Sequence, residues 1–437
     1  MPMRMPGFDL SGTQKGDDGI RRMKDTIDGD VSMSNAYDSD QKVAVVVVGC
    51  SLNGLGVVRS LARERVPIIA VDYKRIGPAL WSRHVRGHLV RSFVGRKFVD
   101  DMARLGATFV RPPVLLLTDE DAVHSVSENR DELAKWFCFC LPEDRNVKLL
   151  SSKASFHEFA LQHGFPVPRS VILQTRADLG LLAELRFPCV LKPDDKRYVL
   201  TGKKERAVRV RTLSEAREHA IVMLSSPGGI VAQEWIEGPG SNIHFTLFYR
   251  GAGGEVVSVF TGRKILSNPP DVGNTAICVA ADEARDVLEP MTLDFADRAG
   301  MVGMGSMEYK WDDNYKEFVM IEPTVGRTDW QEEIATLCGV NIPAAAYRYE
   351  LGFPPLPDET NHAALAWRAT FLDRPPPRLT GADTRMIDGY FRWNDPLPAL
   401  QFYCAIGPLR RVVRGWREKR RTRTARQILR EAKNAID

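Results

Sequence analysis

Two glutamates in the second half of the sequence stand where a metal ion could be held. Glu308 lies in SMEYKWD and Glu322 in FVMIEPTVGR, and both segments are predicted strands joined by a turn at residues 312–314. Antiparallel pairing across that turn would place both carboxylates on one face of a sheet. Magnesium held by the two carboxylates and by nucleotide phosphates would explain these acids. An ion pair with Arg263 or Arg327 is the alternative, because a charge within an apolar strand needs a partner.

Two lysines precede these acids and could bind the phosphates of the same nucleotide. Lys153 begins a predicted helix, and Lys192 ends the predicted strand FPCVLK just before a proline. Each lysine alone would be a solvated surface charge, but two lysines flanking one cleft can hold a phosphate chain. The predicted strand at residues 230–236 ends in the turn EGPG and could offer backbone groups to an adenine ring. The acids, the lysines and this strand end therefore indicate a magnesium–nucleotide site.

The segment VVVVGCSLNGLG at residues 45–56 is similar to a dinucleotide-binding turn but has different glycine spacing. Such a turn requires G-x-G-x-x-G directly after the first strand, whereas Gly49, Gly54 and Gly56 are spaced G-x-x-x-x-G-x-G. Asp72 stands where an acid would bind a ribose, although acids commonly end strands. A tight turn in a Rossmann-like domain is the better interpretation, and NAD(P) binding is the alternative.

Alternating strand and helix patterns define the elements that must position these residues. From residue 43 to about residue 117, apolar strands alternate with helical segments, which predicts an open α/β domain. The acidic cluster TDED at residues 118–121 follows the last of these strands and is predicted to form a loop and a helix cap. After the helix that begins at Lys153, strand pairs joined by short turns predict a mixed α and β fold.

The composition argues against a membrane-spanning or a secreted protein. The 437 residues are 44% hydrophobic and 27% charged, as in ordinary soluble proteins, and no apolar run is long enough to span a bilayer. The start of the chain has no apolar core, so no secretory signal is expected. The seven cysteines are scattered, odd in number and without a C-x-x-C pair, which favours reduced thiols in a cytoplasmic protein.

The net charge of +4 conceals a basic tail at the end of the sequence. Residues 408–437 contain eleven Lys and Arg and three acids, a net of +8, so the remainder carries −4. Four apolar residues in LRRVVRGW fall at helical spacing, which predicts a helix with one apolar face. Such a helix could lie on an anionic membrane; a solvated helix or frayed extension is the simpler interpretation. No nucleic-acid partner is expected.

In their order and spacing, these motifs resemble the ATP-grasp superfamily in its carboxylate–amine ligase branch, and more distantly D-aspartate ligase and D-alanine ligase. The resemblance covers residues 43–354. It rests on the segments GCSLNGLGVVRSL, SVSENRDEL, SSKASFHEFALQHGFPVPRS, FPCVLKP, AQEWIEGPGSN, TGRKILSNPPDVGNTA and EYKWDDNYKEFVMIEPTVGRTDWQ.

The resemblance implies a Rossmann-like preATP-grasp domain followed by a two-lobed ATP-grasp fold, of α/β and α+β class, with a basic helical C-terminal tail. The implied divisions are a disordered leader at 1–40, the Rossmann-like domain at 41–148, the ATP-grasp domain at 149–354 with its small lobe at about 165–236, an irregular proline-rich extension at 355–407 and the tail helix at 408–437.

By position, the resemblance also assigns a role to each candidate residue. The nucleotide would be bound through its phosphates by Lys153 and Lys192, through its adenine by Gln233, Glu234, Trp235 and Ile236, and through its ribose by Asn242. The metal ligands would be Glu308, Glu322 and Thr324, the last standing where an asparagine is more usual. The catalytic residues would be Arg263 and Arg327, with Lys264 beside the first. The substrate side would be lined by Ser51, Asn53, Gly54, Asp329, Trp330 and Gln331.

The implied function is that of an ADP-forming ligase using ATP and Mg²⁺, which Mn²⁺ could replace. It would join a small-molecule carboxylate to an amine, with an amino acid as the expected partner. A cytoplasmic location is expected, with membrane contact through the tail as a variation, and the oligomeric state is not indicated. Two alternatives are an NAD(P)-dependent oxidoreductase and a protein that binds ATP without turnover. The latter is considered because the chain lacks the glycine-rich flap found after the second lysine in many members.

Overall fold

A computed structural model of the chain describes residues 42–194, 207–225, 228–268, 273–356, 364–369 and 384–406. The predicted leader at 1–40 and the predicted tail helix at 408–437 lie outside the described residues. No helix in the described part of the chain is both long enough and apolar enough to cross a membrane.

The first sheet is the predicted Rossmann-like α/β unit. Its strands, in the order β3-β2-β1-β4 and all parallel, are β1 (Val45–Val48), β2 (Ile68–Asp72), β3 (Val85–Leu89) and β4 (Val114–Leu117). Its helices are α1 (Leu52–Ala62), α2 (Arg96–Gly106), α3 (Glu120–Glu128) and α4 (Arg130–Leu133). Every residue of β1 and β4 is buried. A sheet covered on both faces explains why the first strand is an unbroken run of valines.

The glycines of the first turn allow close packing between β1 and α1. Gly49 has a φ of +99°, and a Cβ atom at Gly54 would lie 2.0 Å from the Gly49 carbonyl oxygen, so larger residues are excluded. The Asp72 carboxylate accepts the N–H of Cys50 at 2.9 Å and that of Lys74 at 2.9 Å. These contacts explain the glycines and the acid within the fold, without a dinucleotide.

The second sheet forms the small lobe. It follows the helices α5 (Asp144–Ser151) and α6 (Lys153–Gln162). Its strands, antiparallel and in the order β5-β8-β6-β7, are β5 (Ser170–Leu173), β6 (Cys189–Pro193), β7 (Val208–Val210) and β8 (Ile230–Glu234), and helix α7 spans Leu213–Met223. Leu191 and Ile230 belong to a hydrophobic core that contains only residues of this lobe. The predicted start of a helix at Lys153 is confirmed, because the Ser152 side chain accepts the N–H of Ser155 at 3.1 Å.

The third sheet forms the large lobe and has the order β13-β12-β9-β10-β11-β14-β15. Its strands are β9 (Ile243–Arg250), β10 (Val256–Asn268), β11 (Asn274–Ala280), β12 (Gly303–Asp312), β13 (Glu317–Val325), β14 (Leu365–Arg368) and β15 (Arg385–Asp388). All neighbours are antiparallel except β14 and β15. The remaining helices are α8 (Asp282–Arg298), α9 (Glu333–Leu337), α10 (Ile342–Glu350) and α11 (Leu397–Leu400).

Two hydrophobic cores join the first sheet to the third. One contains Val46 of β1 together with Phe248 of β9, and the other contains Val45 together with Phe245. Successive residues of a strand point to opposite faces, so each sheet contributes to both cores. The Rossmann-like domain and the large lobe are thus packed against each other through apolar side chains.

The C-terminal segment is bound to the first domain through Arg59 of α1, which is 9% exposed. Arg59 donates hydrogen bonds to Asp395 Oδ2 at 3.1 Å and to the carbonyl oxygens of Gly389 and Tyr390 at 2.8 and 2.7 Å. Asp395 itself is 1% exposed. The expectation that the extension is irregular is wrong for its described part, because β14 and β15 extend the third sheet.

Candidate active site

One cleft lies where the three sheets meet, and most of the predicted residues line it. Its volume is about 660 Å³, within the range of small-molecule sites. The predicted residues that line it are Lys153, Lys192, Gln233, Glu234, Trp235, Ile236, Glu308, Glu322, Thr324 and Arg327, with Ser51, Asn53, Asp329, Trp330 and Gln331 on the expected substrate side. Residues far apart in sequence thus line the same cleft.

The two glutamates are direct partners across the β12–β13 hairpin. Glu308 pairs with Glu322, but the next pair joins Tyr309 to Met320, which leaves Ile321 as the extra residue of a β-bulge. The bulge allows Ile321 and Glu322 both to line the cleft, while Met320 joins the hydrophobic core with Tyr309. The predicted placement of both carboxylates on one face is confirmed.

Lysines neutralise these two carboxylates. Lys153 Nζ lies 3.6 Å from Glu322 Oε1, and Lys264 Nζ donates a hydrogen bond to Glu308 Oε2. The ion pairs that the structure shows for the glutamates are therefore with lysines, where the sequence alternative expected arginines. Both pairs combine a cation suited to phosphate with an anion suited to a metal ion.

Three predicted residues lie away from the described lining of the cleft, and one of them is Gly54, which packs against Gly49. Arg263 precedes Lys264 in β10, so its side chain points to the other face, where it lies 3.4 Å from Glu283 of α8. The Asn242 side chain donates a hydrogen bond to Asp313 Oδ2 at 3.2 Å. The structure thus brings Lys264, and not Arg263, into the cleft, and it does not bring Asn242 there.

The carboxylates fit a metal that is shared with a nucleotide. Within the described ranges, no group of three His, Cys, Asp or Glu residues could hold a metal ion. Magnesium is commonly bound by one or two carboxylates together with phosphate oxygens and water, and Glu308 with Glu322 supplies that number. The Thr324 hydroxyl donates to Asp329 Oδ1 at 2.8 Å, and its oxygen retains lone-pair capacity for a metal or water.

The segment after β8 presents a backbone donor at the predicted adenine site. The N–H of Trp235 donates to the Pro188 carbonyl at 2.9 Å, whereas no described residue accepts the N–H of Ile236. Lys310 Nζ donates to the Ile236 carbonyl oxygen at 2.7 Å. Apolar side chains near this edge could contact a flat ring and belong to Pro168, Val190, Ile243 and Ile321.

Hydrogen bonds orient the side chains beside this edge. Lys192 Nζ donates to Gln233 Oε1 at 3.0 Å, and the Gln233 amide donates to Ser170 Oγ at 3.2 Å. The Glu234 carboxylate accepts a hydrogen bond from Arg186 at 3.1 Å. Lys192 is therefore held beside Gln233, in the same cleft as the glutamates, where it could contact the phosphates of a bound nucleotide.

Lys310 is a lining residue that the sequence interpretation did not select. It follows Glu308 by two positions in β12, and this spacing places both side chains on one face. Its ammonium lies 4.7 Å from the centre of the Trp235 ring. The period-2 pattern was the signal that could have identified it.

Replacing Lys310 by Met should weaken ATP-Mg binding about tenfold, since a charged hydrogen bond of this kind contributes on the order of 1.5–3 kcal/mol. The reason is that the main chain at Ile236 loses the ammonium that holds it. Isothermal titration with ATP-Mg measures the change. Lys316→Met, in the same hairpin but with a 71% exposed side chain, is the matched control. Equal dissociation constants for the two variants would contradict the assignment.

The far end of the cleft is formed by the first domain and the loop after β13. Asp119 caps α3 by accepting the N–H groups of Asp121 and Ala122, which confirms the predicted cap. Burial and then the nearby Asp121 carboxylate raise the pKa of Asp119. Arg327 lies 3.5 Å from Glu120 and 4.0 Å from Asp329. This end is therefore rich in carboxylates.

Glu332, beside this loop, is fully buried. Burial and then the Glu333 carboxylate raise its pKa from 4.5 to about 8. Between pH of about 4.5 and about 8, the folded protein therefore keeps a proton on Glu332 that the unfolded chain has already released. The contribution of this group to stability is complete below that pH and is lost as the pH rises toward 8.

Replacing Glu332 by Gln should remove this pH dependence. Relative to the wild type, the variant should gain about 3 kcal/mol in free energy of unfolding between pH 5 and pH 8. Urea denaturation at the two pH values measures the difference. Glu158→Gln, on the exposed face of α6, should show no such gain. A constant difference between Glu332→Gln and the wild type at both pH values would show that Glu332 does not carry the proton.

The three sheets and the cleft between them define the ATP-grasp fold, as predicted from the sequence. No protein-family model matches the chain. A D-aspartate ligase from Enterococcus faecium (strain Aus0004) is 20% identical over 329 residues, which cover 71% of this chain and 77% of that protein.

Solved structures support the same fold. The N5-carboxyaminoimidazole synthetase from Staphylococcus aureus, complexed with ADP, superposes with a TM-score of 0.58 and 12% identity over 75% of this chain and 82% of that chain. The biotin carboxylase domain of a Hydrogenobacter thermophilus 2-oxoglutarate carboxylase, complexed with MgADP, gives a TM-score of 0.56 and 16% identity over 72% of this chain and 71% of that chain. At these identities the likeness shows the fold.

Proposed function

We propose that this protein is an ATP- and Mg²⁺-dependent ligase that joins a carboxylate to an amine and releases ADP and phosphate. The observation that carries the proposal is the pairing of Glu308 with Glu322 across the hairpin, in the same cleft as Lys153, Lys192 and Ile236. Candidate metal ligands, phosphate-binding lysines and an adenine edge thus line one cleft. An NAD(P)-dependent oxidoreductase would have no use for this arrangement.

ATP would lie with its adenine against the edge after β8. The N–H of Ile236 donates to a ring nitrogen, and Lys153 and Lys192 bind the phosphate chain. Glu308 and Glu322, with Thr324 beside them, would hold Mg²⁺, which when bound offsets the negative charge of the β- and γ-phosphates. The lysines that pair with the glutamates would then exchange carboxylate for phosphate as their partner.

The reaction would proceed through an acyl phosphate. A substrate carboxylate oxygen attacks the γ-phosphorus, the bond to the β-phosphate oxygen breaks, and ADP leaves. The amine nitrogen then attacks the acyl carbon, phosphate leaves, and the nitrogen loses a proton to give the amide. Lys264 and Arg327 line the same cleft as the glutamates and would stabilise the negative charge that develops. Arg263, which faces α8, has no part in this scheme.

The relatives support this proposal in outline. The E. faecium relative is by name a ligase of D-aspartate, and the two structural relatives were solved with ADP or MgADP. A small-molecule substrate and an ATP-consuming reaction agree with the size and charge of the cleft.

The test is ADP release with ATP-Mg and a panel of carboxylates and amines that includes D- and L-aspartate. We expect release only when both substrates are present, with one ADP formed per amide. An NAD(P) enzyme would show a thermal shift with NAD(P) and none with ATP-Mg. A thermal shift with ATP-Mg without ADP release from any pair would identify a protein that binds ATP without turnover.

A further inference from the structure

One face of the described structure combines exposed apolar side chains with basic ones. It is formed by the connection between β2 and β3 together with the last described segment of the chain. This basic apolar face is defined by Lys74, Arg75, Ile76, Trp393 and Leu400. Trp393 is 90% exposed, and Ile76 and Leu400 are each about half exposed. Large apolar residues that are exposed as a group commonly mark a binding surface.

Hydrogen bonds hold the two parts of this face side by side. The Gln401 amide donates to the Ile76 carbonyl oxygen at 3.0 Å, which places the end of α11 against the β2–β3 connection. The Arg83 guanidinium donates to the Asn394 carbonyl oxygen at 3.3 Å, and the Arg83 N–H donates to Asp395 Oδ1 at 2.9 Å. The basic apolar face therefore belongs to the folded body of the protein.

The charge around this face is positive. Residues 73–90 contain four Lys and Arg and neither Asp nor Glu, and Lys74, Arg75 and Arg83 of this segment are exposed. Asp395, which contacts the segment, is buried and bound to Arg59. Residues 1–407 together carry a net charge of −4, so the positive charge of this face is a local feature.

The sequence continues directly from this face into its most basic segment. Residues 408–437 carry a net charge of +8. Arg410 is four residues beyond Ile406, the last described residue, and four residues span at most about 14 Å. The folded body and the sequence that follows it therefore present cations at the same place.

We propose that the basic apolar face docks the protein onto a membrane that contains anionic phospholipids. Lys74 and Arg75 contact the lipid phosphates, and the apolar side chains enter the boundary between headgroups and acyl chains. Trp393 suits this boundary because its ring is apolar and its N–H is polar. A nucleic acid would engage the cations and the aromatic ring but would offer no apolar partner to Ile76 and Leu400. The inference goes beyond the proposed ligase and does not depend on its substrates.

Vesicle binding tests this face with the full-length protein. The protein is sedimented with vesicles of phosphatidylcholine alone and with vesicles that also contain about 30% phosphatidylglycerol, an anionic lipid. We expect binding only to the anionic vesicles. Binding should weaken as the salt concentration rises, because counter-ions screen the attraction.

Two double variants locate that binding. Lys74→Glu with Arg75→Glu should weaken it roughly tenfold or more, since each basic residue near an anionic surface contributes about fivefold. Trp393→Ser with Leu400→Ser removes two apolar side chains from the boundary and should weaken binding about tenfold.

The matched control is Arg217→Glu with Val222→Ser, because both residues are exposed on α7 of the small lobe. The control should bind anionic vesicles as the wild type does. Melting temperatures of all variants establish that each protein is folded.

Each outcome bears on the face. Weaker binding in both double variants, but not in the control, supports it. Every variant keeps residues 408–437, so wild-type binding in both double variants would assign the binding to that segment and overturn the proposal. Loss in only one of them would mean attraction by charge alone or by apolar contact alone, and would overturn the combined face. Binding to a single-stranded RNA oligonucleotide but to neither vesicle would replace the membrane by a nucleic acid.

Discussion

Replacing Glu322 by Gln is expected to reduce substrate-dependent ADP release roughly thousandfold, because a metal ion contributes several kcal/mol to stabilising charge in a phosphoryl-transfer transition state. The amide is nearly the same size as the carboxylate but is a poor ligand for Mg²⁺. The same change also removes the partner of Lys153, 3.6 Å away, and leaves that ammonium for the phosphates. Binding of ATP without magnesium should therefore persist.

A coupled assay for ADP and a titration with ATP in the presence and absence of Mg²⁺ together measure both effects. Glu317→Gln is the matched control, because Glu317 begins the same strand β13 and is exposed. The control should retain the wild-type rate. An unchanged rate in Glu322→Gln would remove the metal assignment and with it the central argument for a ligase.

Replacing Asp395 by Ala is expected to lower the free energy of unfolding by about 3–5 kcal/mol, since a buried guanidinium loses the carboxylate that accepts its hydrogen bond. Asp395 accepts hydrogen bonds from Arg59 Nε at 3.1 Å, Ser82 Oγ at 3.0 Å and the N–H of Arg83 at 2.9 Å. Burial already lowers the pKa of Arg59. The guanidinium would keep only Glu333, 3.8 Å away, as a carboxylate partner.

Urea denaturation followed by tryptophan fluorescence measures this loss. Asp294→Ala removes an Asp–Arg pair of similar length, 2.9 Å, whose side chains are 49% and 47% exposed, and such surface pairs contribute about 1 kcal/mol or less. The two variants therefore separate burial from mere proximity. A loss no larger in Asp395→Ala than in Asp294→Ala would mean that the C-terminal segment is only loosely attached.

The elements of the fold and the centre of the site were predictable because their signals are local. Apolar runs, turn residues and helix caps predict the strands and helices, and the short turn after Glu308 predicts the pairing with Glu322. The spacing of two in β12 also determines which neighbours share a face with Glu308. Lys310 follows from that rule, although it was not selected.

Other parts of the site depend on contacts that one sequence does not reveal. The resemblance assigns the catalytic role to Arg263 in the basic pair Arg263 and Lys264. Only the orientation of the strand between the cleft and α8 shows that Lys264 is the one in the cleft. The bulge at Ile321 shifts the pairing of β12 with β13 by one residue. The segment MIEPT contains no residue that predicts a bulge. Thr328 is more than two hundred residues from Asn53, so the hydrogen bond from the Asn53 amide to the Thr328 carbonyl oxygen could not be predicted.

The three hydrophobic cores divide the chain differently from its three sheets. Two cores contain residues of both the first and the third sheet, while the small lobe has one of its own. By its cores the protein is divided into two separately packed units. One comprises the Rossmann-like domain, the large lobe and the C-terminal strands, and the other is the small lobe. A rotation or local unfolding of the small lobe would therefore disturb its own core and leave both shared cores buried.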